Sequence, residues 1–308
     1  MRGRDHHVTM RNVAALMSYV WHHPSNRACR IHAVGRAVVW QLYKRIAGGY
    51  WDVPLTKNRT IRCYPNNASA SSVLYARLFD YHEMHFLLRY LRSEDNFLDV
   101  GANVGVYTIL ASSVIDRGVI HAVEPSSRAL ERLKENILLN NLHNARIHPV
   151  AASDSPGKAF LTSAKDSLNH LVSADPSDGV EEVQSVCLDD EVGAVSFAAG
   201  KMDIEGAEML AMRGAINMLR KQNPPVWLIE WNELCHRFGH TRQLVADIFQ
   251  ETGYCLATYD ADENCMHWLS SVLPAPKNII AISKAHINRV DERMAVSRQQ
   301  PALSRSCS

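Results

Sequence analysis

The run Lys201-Met202-Asp203-Ile204-Glu205-Gly206-Ala207-Glu208 puts four charged side chains into a largely apolar stretch. On a strand, Lys201 and Asp203 share one face. Two such charges are costly to bury unless they are paired or functional. Mutual pairing is one explanation. The other is chemical: Asp203 orients or deprotonates an acceptor hydroxyl, and Lys201 tunes its charge. General-base help of that kind is typically worth about 10²–10⁴-fold in rate. Glu205 and Glu208 fall at a helix start, where the dipole favours anions, and this alone could explain Glu208. Asp203, Lys201 and Glu205 form the candidate catalytic set.

A second constellation lies upstream. Asn96-Phe97-Leu98-Asp99-Val100 is an apolar run interrupted by Asp99, and the turn Gly101-Ala102-Asn103-Val104-Gly105 follows it. A strand, a tight turn and a helix start are implied, and glycine tolerates the positive φ such turns use. Gly101, Ala102 and Gly105 would form backbone walls, and Asn103 could bridge turn and ligand. The nicotinamide fingerprint Gly-x-Gly-x-x-Gly is missing. A second apolar run, Val119 to Val123, ends in Glu124-Pro125. An acidic side chain there is placed to accept charge-assisted hydrogen bonds from both hydroxyls of a ribose. The pair suits a nucleoside-like cofactor that does not depend on a diphosphate.

These residues resemble the S-adenosylmethionine (SAM) site of a class I methyltransferase. With Val150-Ala151-Ala152-Ser153-Asp154, Leu188-Asp189-Asp190 and the 201–208 run, the chain resembles the FkbM family of methyltransferases. Members of that family mostly methylate hydroxyl oxygens on sugars or natural products. The resemblance covers about residues 70–282. It implies that Asp99 contacts the methionine end of SAM or orders the turn through a water; the alternative is an Asp that satisfies backbone N–H groups. It also implies that Ala152, through its N–H, and Asp154 sit near the adenine, although Ser153 to Gly157 could be only a turn. The acceptor would be a small molecule or glycan, and the oxygen acceptor rests on the resemblance alone. Asp203, Glu230 and Asn232 could hold Mg²⁺, whose preferred ligands are oxygens, but the resemblance does not require a metal. His236 and His240 are alternative bases, and Trp227 and Trp231 are core residues or sugar platforms. Two rivals remain: a nicotinamide-dependent oxidoreductase, and a non-catalytic SAM- or partner-binding module.

The elements that must position these groups follow from periodicity. From Phe97 onward strands alternate with helices, which predicts an α/β, doubly wound, mostly parallel sheet of Rossmann-like class. Seven strands are expected, at 97–100, 119–123, 146–150, 199–203, 226–231, 254–259 and 278–282. Helices are expected at about 105–115, 127–140, 206–221 and 241–252. Residues 50–65 read as a hairpin, 66–73 as a loop, and 80–92 as a helix with Asp80 and Glu83 in a capping-box spacing. The polar 158–185 insertion reads as a hairpin flanking a loop, and either helps to form the acceptor pocket or is only solvated.

The chain has 308 residues, is 46% hydrophobic and 21% charged, and carries a net charge of +1, which argues against a dedicated nucleic-acid binder. Seven scattered cysteines suggest neither a disulfide framework nor a zinc site, and a reducing cytoplasm is the simplest reading. No signal peptide or membrane span is expected. The expected organisation is a basic helical extension at 1–49, a hairpin and lead-in helix at 50–95, a SAM-binding domain at 96–283 and a disordered tail at 284–308. In the extension, Ile31, Val34, Val38, Leu42 and Ile46 recur at helical spacing. Residues 8–47 either dock on the protein or a partner, or lie on anionic membrane. Nothing here sets the oligomeric state.

Overall fold

The computed structural model describes residues 3–46, 49–65, 67–162, 171–172, 180–230, 236, 239–270 and 277–298. Two helices, α1 (Gly3–His22) and α2 (Arg30–Ile46), are joined through a short turn at Pro24–Asn26. Asn26 pins that turn: its buried amide donates to Val20 O and Tyr75 O, each at 2.9 Å. A hairpin follows, β1 (Trp51–Pro54) with β2 (Thr60–Cys63), Val53 opposite Ile61. Helices α3 (Ala68–Ala76) and α4 (Tyr81–Tyr90) lead into the α/β region.

That region begins β3 (Phe97–Val100), α5 (Val106–Ser112), β4 (Ile120–Val123), α6 (Ser127–Leu139), β5 (Ala145–His148). An excursion, β6 (Ala151–Ala152), β7 (Gly157–Thr162), β8 (Leu171–Val172) and β9 (Val180–Val186), forms its own small sheet. The chain returns through α7 (Leu188–Glu191), β10 (Ala199–Met202), α8 (Glu208–Arg213), α9 (Ile216–Arg220), β11 (Val226–Glu230) and α10 (Arg242–Glu251). It continues with β12 (Tyr254–Asp260), β13 (Cys265–Trp268), β14 (Asn278–Ser283) and α11 (Ile287–Arg298).

The main sheet has the order β13-β12-β14-β11-β10-β3-β4-β5. The run from β5 to β11 is parallel, β14 is antiparallel to β11 and to β12, and β13 is antiparallel to β12. Each side of the sheet has a core. Alternation on β3 sends Phe97 toward Phe86, Tyr90 and Ile109, and sends Leu98 and Val100 toward Met209, Trp227 and Phe249. Strand order reverses between β3 and β10, and open α/β sheets bind ligands at the carboxyl end of such a switch point.

The sheet class is as expected, but its strand number is eight among the described residues, because β13 adds an edge that no strong β pattern announces. Residues 68–73 of the expected loop belong to helix α3: Asn67 Oδ1 caps it by accepting from Ala70 N at 2.7 Å, and Val73 and Leu74 are buried. The Asp80 capping box does not form, since its carboxylate accepts the Tyr107 hydroxyl at 2.8 Å instead. The helix expected over 206–221 is split. The break at Gly214 lets the chain pass Ser153, whose carbonyl would lie 1.9 Å from an added Cβ. The Asp189 carboxylate then caps α9, accepting from Asn217 N (2.9 Å) and Met218 N (2.8 Å). Residues 284–298 are structured, because Val290 and Met294 are buried and Arg293 pairs with Asp95. Residues 299–308 lie outside the described ones.

Two further expectations change. On α2 the buried residues are Ala33, Ala37 and Trp40, whereas Ile31, Val38, Leu42 and Ile46 face outward. Cys29 is disulfide-bonded, contrary to the absence of pairing suggested by the cysteine spacing; Cys63, Cys187, Cys255 and Cys265 are free. Among the described residues no helix is long and apolar enough to cross a membrane.

Candidate active site

A cavity opens at the carboxyl ends of β3, β4 and β10, with about 760 Å³ of empty space, part of it open to solvent. Gly101, Asn103, Glu124, Ala152, Asp203 and Glu205 all line it. Asp99, Ala102, Gly105, Asp154 and Lys201 do not, although Lys201 reaches the Asp203 side chain from behind. Asp154 is exposed.

Glu124 is the most tightly placed of the lining groups. Its Oε2 accepts from Asn103 N at 2.8 Å and its Oε1 from Ser126 N at 2.9 Å. A carboxylate offers about four lone-pair positions, so two remain for a ligand. Burial pushes its pKa up to about 7 against the lowering effect of the two N–H groups. The turn facing it is held in left-handed backbone, with φ of +51° at Asn103 and +80° at Gly101. Asn103 Oδ1 accepts from Val104 N at 2.8 Å and from the Asn67 amide at 3.2 Å, which ties α3 to the turn.

Gly101 and Gly105 also serve packing, a use the sequence does not announce. A Cβ on Gly101 would lie 1.9 Å from the Asp203 carbonyl, and one on Gly105 would lie 2.5 Å from Leu133 Cδ1. Bare backbone is needed at these two positions for β10 and α6 to pack. Asp99 follows the same logic. Alternation puts its side chain on the α5 side, where Oδ2 accepts from Thr108 Oγ1 at 2.7 Å. Burial raises its pKa to about 6.

Lys201 and Asp203 pair at 2.9 Å, and the Lys201 ammonium also lies 4.6 Å over the Tyr107 ring. Burial opposes the charge on Lys201, but the carboxylates of Asp203, Asp80 and Glu230 outweigh it and hold the ammonium on. Asp203 is held below the usual carboxylate range: burial works against its charge, and Lys201 and a hydrogen bond with Glu230 overcome it. Glu230 moves the opposite way, raised by burial and by the Asp203 charge. Glu205, at φ +54°, is pushed up to about 7 by burial and then by Asp203 and Glu208. Glu208 is buried and structural, its Oε1 accepting from Ile204 N (3.2 Å) and Gly206 N (3.1 Å).

Carboxylate oxygens of Asp203, Glu205 and Glu230 come within 4.8 Å of one another. Two ammonium groups already neutralise this cluster, Lys201 on Asp203 and Lys277 on Glu230 at 3.2 Å. Mg²⁺ would have to displace them, so the set does not fit that metal well. Asn232 and Trp231 lie outside the described residues. Trp227 is fully buried in the core, while His236 and His240 do not line the cavity.

Several groups escape a reading of the sequence. Ser69, Ser126, Ile204 and Leu161 line the cavity. Leu161 comes from the 158–185 insertion, and Ser69 from the segment that reads as a loop. Asp80, Glu83 and Lys277 surround the Asp203–Glu230 pair; the sequence marks the first two only as a helix cap and Lys277 not at all.

The family model described as "Methyltransferase FkbM domain" matches residues 99–256, which take in the end of β3, all of β4 and β10, and the charged run. Among solved structures, the methyltransferase FkbM from Methylobacillus flagellatus KT has 15% identity and a TM-score of 0.44, covering 82% of this chain and 60% of its own. This chain therefore spans less than two thirds of the length of that protein. The precorrin-6y C5,15-methyltransferase from Geobacter metallireducens GS-15 has 16% identity and a TM-score of 0.37, covering 65% and 86%. The Pyrococcus abyssi tRNA (uracil-54, C5)-methyltransferase, in complex with S-adenosyl-L-homocysteine, has 13% identity and a TM-score of 0.41, covering 75% and 43%. No curated protein matches the sequence. With more than half of its residues covered by that one domain description, the chain belongs to the FkbM methyltransferase domain family.

Proposed function

We propose that this protein transfers a methyl group from SAM to a hydroxyl oxygen of a sugar or glycosylated metabolite. The observation that carries the reading is Glu124. Its carboxylate is clamped by two backbone N–H groups at the end of β4 and turns its free lone pairs to the cavity. A vicinal diol fits such a group, and the cavity runs from there to the carboxylates at the end of β10. Ala152 and Leu161 supply apolar wall for a base. Bound there, SAM supplies a methyl group on a positive sulfur that leaves readily.

The chain's own work is then to hold the acceptor and take its proton. Asp203, kept ionised by Lys201, is a poor base and a good hydrogen-bond acceptor for an orienting contact. Glu205 is the better proton acceptor, because its pKa of about 7 sits near the working range of a general base. Positioning in the pocket supplies the remainder, with effective molarities that reach about 10⁵ M in well-oriented systems. The test is thermal denaturation with SAM, S-adenosylhomocysteine or NAD, followed by transfer of labelled methyl from SAM to candidate glycans. Stabilisation by the first two ligands and labelling of a hydroxyl are expected. Stabilisation by NAD alone would move the protein to oxidoreductase chemistry.

A further inference from the structure

Helix α2 has an apolar stripe on each of two opposite sides. One side carries Ala33, Ala37 and Trp40 and is buried against the protein. The other carries Ile31 (77% exposed), Val38, Val39, Leu42 (53%) and Ile46 (83%). At 100° per residue these five fall within one sector about 100° wide, and Gly35 in the same sector has open space around it. From Ile31 to Ile46 the stripe is about 22 Å long at about 1.5 Å per residue. It contains no hydrogen-bonding side chain. Apolar patches of this kind on a folded surface mark a contact with a partner or a membrane.

The charge around the stripe selects the occupant. From His6 to Trp51 the chain has no acidic residue. Of its cations, Arg27 is taken up by an ion pair with Asp262, Arg36 by the Leu74 carbonyl and Lys44 by Tyr75 on the docked side, which leaves Arg30 and Arg45 beside the stripe. Arg30 and Arg45 on α2 are exposed, and Arg30 also lies 5.7 Å over the ring of the half-exposed Trp21. Pairing this face with a second copy would bring cations against cations. A protein interface also needs polar partners within it, at roughly one hydrogen bond per 100–200 Å². An anionic lipid surface meets both conditions. Its hydrocarbon takes aliphatic side chains without hydrogen bonds, and its headgroups take flanking arginines and an interfacial tryptophan.

We infer that α2 is a membrane-surface anchor, which lays Ile31, Val38, Val39, Leu42 and Ile46 into the interface of an anionic bilayer while Trp40 holds the helix to the enzyme. The anchor is peripheral, and it would bring the catalytic domain to acceptors displayed at a lipid surface.

Vesicle co-sedimentation of the full chain tests it. Vesicles of phosphatidylcholine with about one third phosphatidylglycerol should pellet the protein, and added salt should release it. Phosphatidylcholine alone should pellet it poorly. The variant Ile31→Ser/Leu42→Ser/Ile46→Ser should still melt cooperatively and lose about tenfold or more in partitioning. Arg30→Gln/Arg45→Gln should weaken binding to the anionic vesicles only. Failure to pellet with anionic vesicles would overturn the inference, as would undiminished binding of the triple-serine variant. A dimer that the triple-serine variant abolishes would assign the face to a second copy and would overturn it too.

Discussion

At the scale of single residues, neighbouring carboxylates are made to differ by what lies beside them. Asp203 has a lysine beside it and stays ionised, whereas Glu205 lacks one and is driven up by burial. Glu205→Gln is expected to lower turnover by about 10²–10⁴-fold while SAM binding is retained. In the parent protein, turnover should rise with pH through about 7, because a base works only when deprotonated. Loss of that rise in Glu205→Gln, read in a pH–rate profile, identifies the group. The sequence makes Asp203 and Lys201 legible, since two charges on an apolar strand demand an explanation. It hides the roles of Asp80, Glu83 and Lys277, which reach the same place from elements far apart in the chain; Asp80 and Glu83 read only as a helix cap.

At the scale of elements, the turn after β3 is a packing joint as much as a binding loop. Gly101 allows the end of β10 to lie against it, so Gly101→Ala should cost more than about 3 kcal/mol in denaturant unfolding. Asp189 does a gentler job at the start of α9, and Asp189→Ala should cost about 1 kcal/mol, the usual loss for a cap. Equal costs for the two would contradict this assignment. Strands and long helices are legible because their apolar periodicity is strong. The breaks are less so: α3 looks like a loop because alanine and serine carry little pattern, and the split of α8 from α9 depends on a carbonyl more than sixty residues away. The outward stripe of α2 is the reverse failure. Its period is clear, but a single helix cannot say which of two apolar faces is docked.

At the scale of the whole molecule, the cavity stores charge that folding makes reluctant to ionise. Glu124 and Glu205 titrate near 7 and Asp99 near 6, all above their ordinary values. Through these three groups the folded state binds more protons than the unfolded one between about pH 4.5 and 7, and their contribution to stability falls as pH rises through that window. Burial of His121, His23 and His85 lowers their pKa values and works the other way. Melting temperatures without ligand should therefore fall more, or rise less, from about pH 5 to 7.5 in the parent protein than in Glu205→Gln. The same pH dependence in both proteins would mean that the Glu205 carboxyl is solvated. Bound SAM at 100-fold over its Kd should return about 2.7 kcal/mol of stability. The fold class and the position of the cavity follow from the sequence because both depend on strand ends. The acceptor side draws on separate parts of the chain, and only the folded structure assembles it.

The most direct test of the central claim is calorimetric titration of S-adenosylhomocysteine into the parent protein and into Glu124→Gln. Hydrogen bonds to a charged group contribute about 1.5–3 kcal/mol. The account therefore predicts binding by the parent, weaker as pH falls below about 7, and a loss of about 10–100-fold in the variant. No binding by the parent, or equal affinity in the two proteins, would contradict it.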